Sequence, residues 1–281
     1  MKKHLLLLMT FLAGGIMTMV NAATLKFGGN EISGSQTLTS SDHATVQSGT
    51  VTWNGSNELT LTNAKIVGDN SDAFSVFRFD GAGSTIYVNI VGTCSITGGR
   101  AFYLHTQDAE MIIQGNGTSS NLTISNSISV SNCGAIWLFG GGNGASCWVR
   151  DMNLDITTPN MPCIYGNTSS KGADFNIYRA QVTLSSNHAS GVVTNIASFY
   201  VQSVYSVYDY SFSSGKLQEN GSPMTYITFV PELQVGDKYV NTYVTDIVTP
   251  TGLEKGSIEY APSAKTLTLT NINYSGTDGI R

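Results

Sequence analysis

The chain has 281 residues, of which 12% are charged, and 19 Asp and Glu against 14 Lys and Arg give a net charge of −5. An acidic chain without a basic cluster lacks the phosphate-neutralising surface on which nucleic-acid binding rests. The length suffices to bury a sizeable core, and with so few charges solubility must rest on Ser, Thr, Asn and Gly.

The first 22 residues read as an export signal. "MKKH" is a basic start, "LLLLMTFLAGGIMTMV" an apolar stretch, and "VNA" before Ala23 a small-residue cleavage site. The mature chain is expected to begin at Ala23 or Thr24, without a lipid anchor since no Cys sits at the cut. No later stretch is apolar enough to span a bilayer. These features place the protein outside the cell, on its surface or in the periplasm.

Next comes "LKFGGNEI" at 25–32, with Gly-Gly between two short apolar runs, which predicts a capping hairpin. "GTVTW" at 49–53 and "ELTLTNAKIV" at 58–67 follow. A series then recurs: "AFSVF" at 73–77, "AFYLH" at 101–105, "AIWLF" at 135–139, "CIYGN" at 163–167 and "GVVTN" at 191–195. Its second residues, Phe74, Phe102, Ile136, Ile164 and Val192, read as inward. The next residue and the one two further on read as outward. The longer step between Phe102 and Ile136 contains the polar insertion "GNGTSSN" at 115–121.

A second series runs in parallel. Cys147, Val149, Met152, Leu154 and Ile156 recur as Phe175, Ile177, Ala180, Val182 and Leu184, each 28 residues on. Alternation predicts strands, and the two-residue pause predicts a corner that keeps the same face inward. Coils of this length, without helical pattern, predict a right-handed single-stranded parallel β-helix of about six coils, from roughly 48 to 212, with β-hairpin caps. "KLQENGSPMTYITF" at 216–229 supplies Asn-Gly for the far cap. Residues 231–281 repeat the opening: "LQVGDKYV" at 233–240 answers 25–32, "GSIEY" at 256–260 answers 49–53 with Tyr260 opposite Trp53, and "TLTLTNINY" answers "ELTLTNAKI". The organisation is therefore a signal (1–22), one unit (23–230) and the start of a second, incomplete unit (231–281). This suggests a monomer within a longer tandem array.

Four cysteines, Cys94, Cys133, Cys147 and Cys163, allow three disulfide pairings in an oxidising compartment. Cys147 and Cys163 also fit as small core residues. No CxxC or His-rich spacing suggests zinc.

The opening "G-T-V-x-Y-x-x-x-x-x-T-L-T-L-x-N-A-x-I", matched at 49–66 and again at 256–274, resembles that of secreted β-helix repeat proteins of Bacteroidetes. They are similar to the carbohydrate-binding and adhesin-like members of the pectate-lyase-like fold. The resemblance implies an exported β-helix; it does not decide chemistry, since the fold also hosts lyases and hydrolases.

The outward positions hold no Asp or Glu, so the carboxylate pair of a polysaccharide hydrolase is missing from them. Arg78, Asp80, His105, Asp108, Glu110, Lys171 and Asp174 read as solvated turn residues, and His105, Asp108 and Glu110 match no standard metal spacing. "GGGNG" at 140–144 lacks the Lys of a phosphate loop. No catalytic residue, metal or cofactor is assigned. Instead Tyr103, Trp137 and Tyr165 take equivalent outward positions on successive coils, flanked by Phe77, His105, Phe139 and Asn167. Stacked at about 4.8 Å, they are expected to form an outward platform for a polysaccharide or host or dietary glycan. The alternatives are a structural adhesin-like stalk and a polysaccharide lyase or hydrolase.

Overall fold

The computed structural model describes residues 23–69, 75–81, 83–106, 108–126, 132–139, 144–166, 172–206, 208–231, 233–235, 238–240, 250, 252–261 and 266–275. The signal segment, Phe74, Asn167, Lys171 and most of 140–144 lie outside the described residues.

The chain winds into a parallel β-solenoid of about four turns. Each coil contributes a strand to three faces. The first face stacks Ser75–Asp80, Arg100–Leu104, Ile136–Leu138, Ile164–Gly166 and Val193–Thr194, all parallel. The second stacks Thr85–Val91, Ala109–Gln114, Ala145–Arg150, Asp174–Tyr178 and Ser198–Gln202. The third stacks Thr93–Thr97, Asn121–Ser125, Asn153–Thr158 and Gln181–Ser186.

The coils number fewer than the six expected because both ends are antiparallel. Val46–Asn54 folds back on the long strand Glu58–Val67. That strand bends at Asn63 (φ 46°) and pairs its two halves with the second and third faces of the first coil. At the far end, Tyr226–Pro231 inserts antiparallel between Gln181–Ser186 and Val204–Ser206. The predicted caps are present. Thr24–Phe27 and Asn30–Ile32 form a hairpin laid antiparallel on Ser75–Asp80. Its turn residues, Gly28 (φ 56°) and Gly29 (φ 85°), supply the two left-handed conformations that such a tight turn needs. Lys216–Glu219 and Ser222–Pro223 form the second hairpin around Asn220 and Gly221.

The 28-residue shift is the true register. Cys147 pairs with Phe175, Val149 with Ile177, Leu154 with Val182 and Ile156 with Leu184, and all eight are buried. The two-residue pause is a corner whose first residue, Asp151 or Arg179, has positive φ. In the preceding coil the corner takes residues 115–120 and contains the 3-10 turn Gly117–Ser119, which is the insertion read from the sequence. Inside, Phe27, Phe77 and Phe102 stack with ring centres 4.9 and 5.6 Å apart. All four cysteines are buried, and none is in a disulfide bond. Burial pushes the Cys163 thiol up to about 12, so it stays neutral and packs as a small apolar group.

The internal repeat is structural. Leu233 pairs with Val240 as Leu25 pairs with Ile32, and Tyr260 pairs with Leu267 as Trp53 pairs with Leu59. Both long hairpins carry register shifts just before these pairs. Both place a positive-φ glycine there, Gly49 and Gly256, where a Cβ would lie 2.3 and 2.2 Å from a carbonyl oxygen. Val235 and Ile258 form a small cluster of their own, separate from the main core.

Two outcomes test this architecture. Ile136→Ala and Ile164→Ala, both fully buried, are expected to cost about 2–5 kcal/mol each by lost burial plus a cavity, measured by denaturant unfolding. Removing residues 232–281 is expected to shift the melting temperature of the solenoid by less than about 4 °C, as a loss of under about 1 kcal/mol would.

Candidate binding site

The outer side of the first face starts at the cap. Lys26 pairs with Arg78, Arg78 with Tyr103, Tyr103 with Trp137, Trp137 with Tyr165 and Tyr165 with Thr194. Pairing in register, antiparallel at the cap and parallel beyond it, places these side chains in one row. A second row beside it holds Asp80, His105 and Phe139, continued by the bonds from His105 N to Phe79 O and from Phe139 N to Leu104 O.

This arrangement corrects the expected platform in three ways. Phe77 does not face outward: it pairs with Phe102, is fully buried and belongs to the inner phenylalanine stack. The segment "AFSVFRF" alternates in two registers, and taking Phe74 as the inward residue flips every side chain that follows. Val193, also expected outside, pairs with Ile164 and is buried, for the same reason at "GVVTN". Third, the rings do not lie flat against the surface. Tyr103 and Trp137 stack on each other, with centres 4.3 Å apart and planes 9° from parallel, and His105 stacks on Phe139 at 5.3 Å and 9°. The two pairs meet edge to face. Ring faces therefore cover one another along the axis, and Tyr103 is only 7% exposed. Tyr165 holds the next position, but no ring contact joins it to Trp137; its hydroxyl accepts a hydrogen bond from Asn195 Nδ2 at 2.9 Å.

Cations close over the stack. The Arg100 guanidinium lies 4.4 Å from the Trp137 ring centre, and that of Arg78 lies 5.4 Å from the Tyr103 centre, an arrangement favoured by the negative potential of ring faces. Arg78 donates through Nε and Nη2 to the Asp80 carboxylate at 3.0–3.2 Å. His105 Nδ1 sits 2.7 Å from Asp80 Oδ1 and 2.7 Å from Arg78 Nη2. A proton on Nδ1 makes the histidine a donor to the carboxylate, so its approach to Arg78 is then a packing contact. Partial burial works against the Asp80 charge, but the hydrogen bonds and charges of Arg78 and His105 outweigh it and hold this carboxyl below its ordinary value of 3.8. Burial pushes the Tyr103 phenol up to about 12 against the opposing effect of the two arginines. Tyr103 is thus a neutral hydrogen-bonding group at neutral pH, not a base.

Between cap and stack lies a cleft of about 490 Å³ lined by Lys26, Gly29, Ser75, Arg78, Arg100, Tyr103 and Trp137. Trp137 Nε1 is buried without a hydrogen-bond partner among the described residues, a deficit of about 1–3 kcal/mol in the stack. Sequence reasoning found the aromatic rings but missed the cations. Arg78 reads from the sequence as a solvated turn residue because the flipped register hides its alignment with Tyr103. His105, Asp108 and Glu110 are not brought together: His105 joins Asp80, while Glu110 lies on the second face and accepts from Thr85 Oγ1 at 3.4 Å.

The third face carries a smaller groove of about 230 Å³, lined by Asn121, Asn153, Gln181, Thr123, Asp155 and Thr183 among others. Asn153 Nδ2 donates to Asn121 Oδ1 there at 2.8 Å. Burial raises the Asp155 carboxyl above its ordinary value.

Fold and site together define a parallel β-solenoid with a cationic, aromatic-walled cleft beside its N-terminal hairpin. Comparison with protein-family models, curated proteins and solved structures gives no match.

The depressed Asp80 carboxyl gives a pH test. Its stabilising effect is complete above the ordinary value of 3.8 and is lost as pH falls through the lower folded-state value. Asp80→Asn is therefore expected to melt below the unaltered protein at pH 6–7, with the gap closing below about pH 4. A gap that persists at pH 2–3 would assign the effect to packing rather than to charge.

Proposed function

We propose that this chain is an exported, non-catalytic solenoid that binds a glycan in the cleft between the N-terminal hairpin and the aromatic stack. The observation that carries the reading is the lining of that cleft. The edges of Tyr103 and Trp137 form an apolar wall. Ser75 and the basic side chains supply hydrogen-bond donors at its margins. Sugars combine apolar C–H surfaces with hydroxyls, so a concave site with an aromatic wall and a few convergent polar groups suits them. The signal-like residues 1–22 agree with an extracellular ligand. His105, Phe139 and Tyr165 then border the site, and Tyr103, stacked on Trp137, offers an edge rather than a face.

Two features speak for a non-catalytic role. No carboxylate lines the cleft among the described residues, and the neighbouring Asp80, held ionised by Arg78 and His105, is a poor proton donor. Tyr103, with its raised phenol, is a poor proton acceptor. A second reading, a structural stalk, is favoured by a different observation. The second hairpin pair repeats the register of the first, as expected of units strung along one axis.

A broad glycan array probed with residues 23–281 separates these readings. Binding is expected, and Trp137→Ala should abolish it while costing less stability than Ile136→Ala, because Trp137 is only half-buried. Tyr165→Ala should weaken binding in part. An empty array with an intact fold would leave the stalk reading, and release of oligosaccharides from a bound polysaccharide would overturn the non-catalytic assignment.

A further inference from the structure

We propose that the outer side of the second face is a further binding surface, which lays a row of aromatic rings on an insoluble β-1,4-linked polysaccharide whose extended chains run along the solenoid axis. Its residues are separate from those of the cleft, and the inference does not depend on the reading of the cleft.

The central outward row of this face runs Tyr87, Ile112, Trp148, Asn176, Tyr200, one residue from each successive coil. Rings and shorter side chains alternate in it. Ile112 is 7% exposed between two rings, and Asn176, 5% exposed, turns back to the sheet, where its Nδ2 donates to Cys147 O at 3.3 Å. Tyr87 and Trp148 are half-buried and Tyr200 is 61% exposed. On the first face the rings cover one another. Here a shorter side chain separates each ring from the next, and no ring contact joins the three among the described residues.

The spacing selects the ligand. Coils step by about 4.8 Å, so one ring follows another at about 9.6 Å and the row spans about 19 Å. A β-1,4-linked chain is a straight ribbon in which the same sugar face returns at every second unit, a repeat close to two coils. Rings at every second coil match that repeat, whereas an α-linked chain coils away from a straight row. A sheet face is also flat enough to meet chains packed side by side in an insoluble polymer.

Polar groups flank the rings. On one side Asn89 Nδ2 donates to Glu58 Oε1 at 2.6 Å, Gln114 Nε2 to Asn89 Oδ1 at 2.7 Å and Arg150 Nε to Gln114 Oε1 at 2.8 Å. Each amide nitrogen carries two hydrogens and this ladder uses one of them, so it holds fixed donors beside the rings. On the other side Glu110 and Asp174 take outward positions two residues before Ile112 and Asn176. Their carboxylates accept from hydroxyls and repel a polyanionic chain. Donors along one flank and acceptors along the other suit the hydroxyls at the two edges of a neutral sugar ribbon, with the rings taking its C–H faces.

The test is depletion of residues 23–281 from solution by microcrystalline cellulose, by chitin and by granular starch. Saturable uptake is expected on at least one of the two β-1,4-linked polymers, at least about tenfold stronger than on starch. Trp148→Ala and Tyr200→Ala should each weaken it at least about fivefold, and Trp148→Phe, which keeps a ring, should restore most of it. Tyr200→Ala keeps the test open if Trp148→Ala fails to fold, because its ring is mostly in solvent. No uptake on either β-linked polymer, equal uptake on starch, or full binding by the Trp148→Ala, Tyr200→Ala double variant overturns the proposal and leaves the cleft to be judged by the glycan array. Uptake lost with Trp137→Ala but kept with Trp148→Ala assigns the binding to the cleft and also overturns it.

Discussion

Everything in this molecule depends on backbone hydrogen bonds between successive coils. A parallel strand leaves donors and acceptors on both edges, and only the next coil satisfies them. Once Ala145–Arg150 lies on Ala109–Gln114 and Asp174–Tyr178 lies on Ala145–Arg150, each side chain has the same-numbered position of the neighbouring coil within about 5 Å. Like then stacks on like. The inner Phe27–Phe77–Phe102 series and the outer Arg78–Tyr103–Trp137 series are two sides of one backbone register.

The same constraint dictates the ends. A solenoid of about four turns leaves a strand edge at each end, a template for unwanted pairing. Here both ends switch to antiparallel pairing. The N-terminal hairpin covers the first face, the long bent hairpin covers the second and third, and Tyr226–Pro231 closes the third face at the other end. Tight turns make this possible, which is why Gly28, Gly29, Asn220 and Gly221 hold positive φ. The first hairpin also has a functional consequence. Lys26 reaches the cleft only because the cap lies on Ser75–Asp80, so the element that blocks the edge also builds one wall of the site.

Charge and aromaticity at the site are interdependent. Tyr103 is buried because Trp137 and Arg78 close on it, and that burial raises its phenol. Asp80 holds Arg78 in place and stays ionised through that contact. A substitution in either row is therefore expected to move the other, and effects on binding will not be additive between neighbours.

The fold class was legible in the sequence because the repeat is written in it. Cys147 to Phe175 and Val149 to Ile177 recur at a fixed shift, alternation fixes strands, and a two-residue pause fixes the corner. Gly-Gly and Asn-Gly mark the hairpins for a steric reason that needs no tertiary context. The repeat of 25–66 in 233–274 was equally visible, down to the opposed Trp53 and Tyr260. What the sequence left undecided was the face of a segment that alternates in two registers. "AFSVFRF" and "GVVTN" each offer an apolar residue to the core either way, and only pairing with the next coil selects Phe77 and Val193. That one choice moved Phe77 inside and set Arg78 above Tyr103. The number of coils and the way the rings lie were also tertiary matters, because antiparallel closure and ring stacking depend on neighbours distant in sequence. Tyr103 and Trp137 could be named from the chain alone. The cationic cleft they share with Lys26, Arg78 and Arg100 exists only once three strands and a cap are stacked in register, since no local pattern brings those charges together.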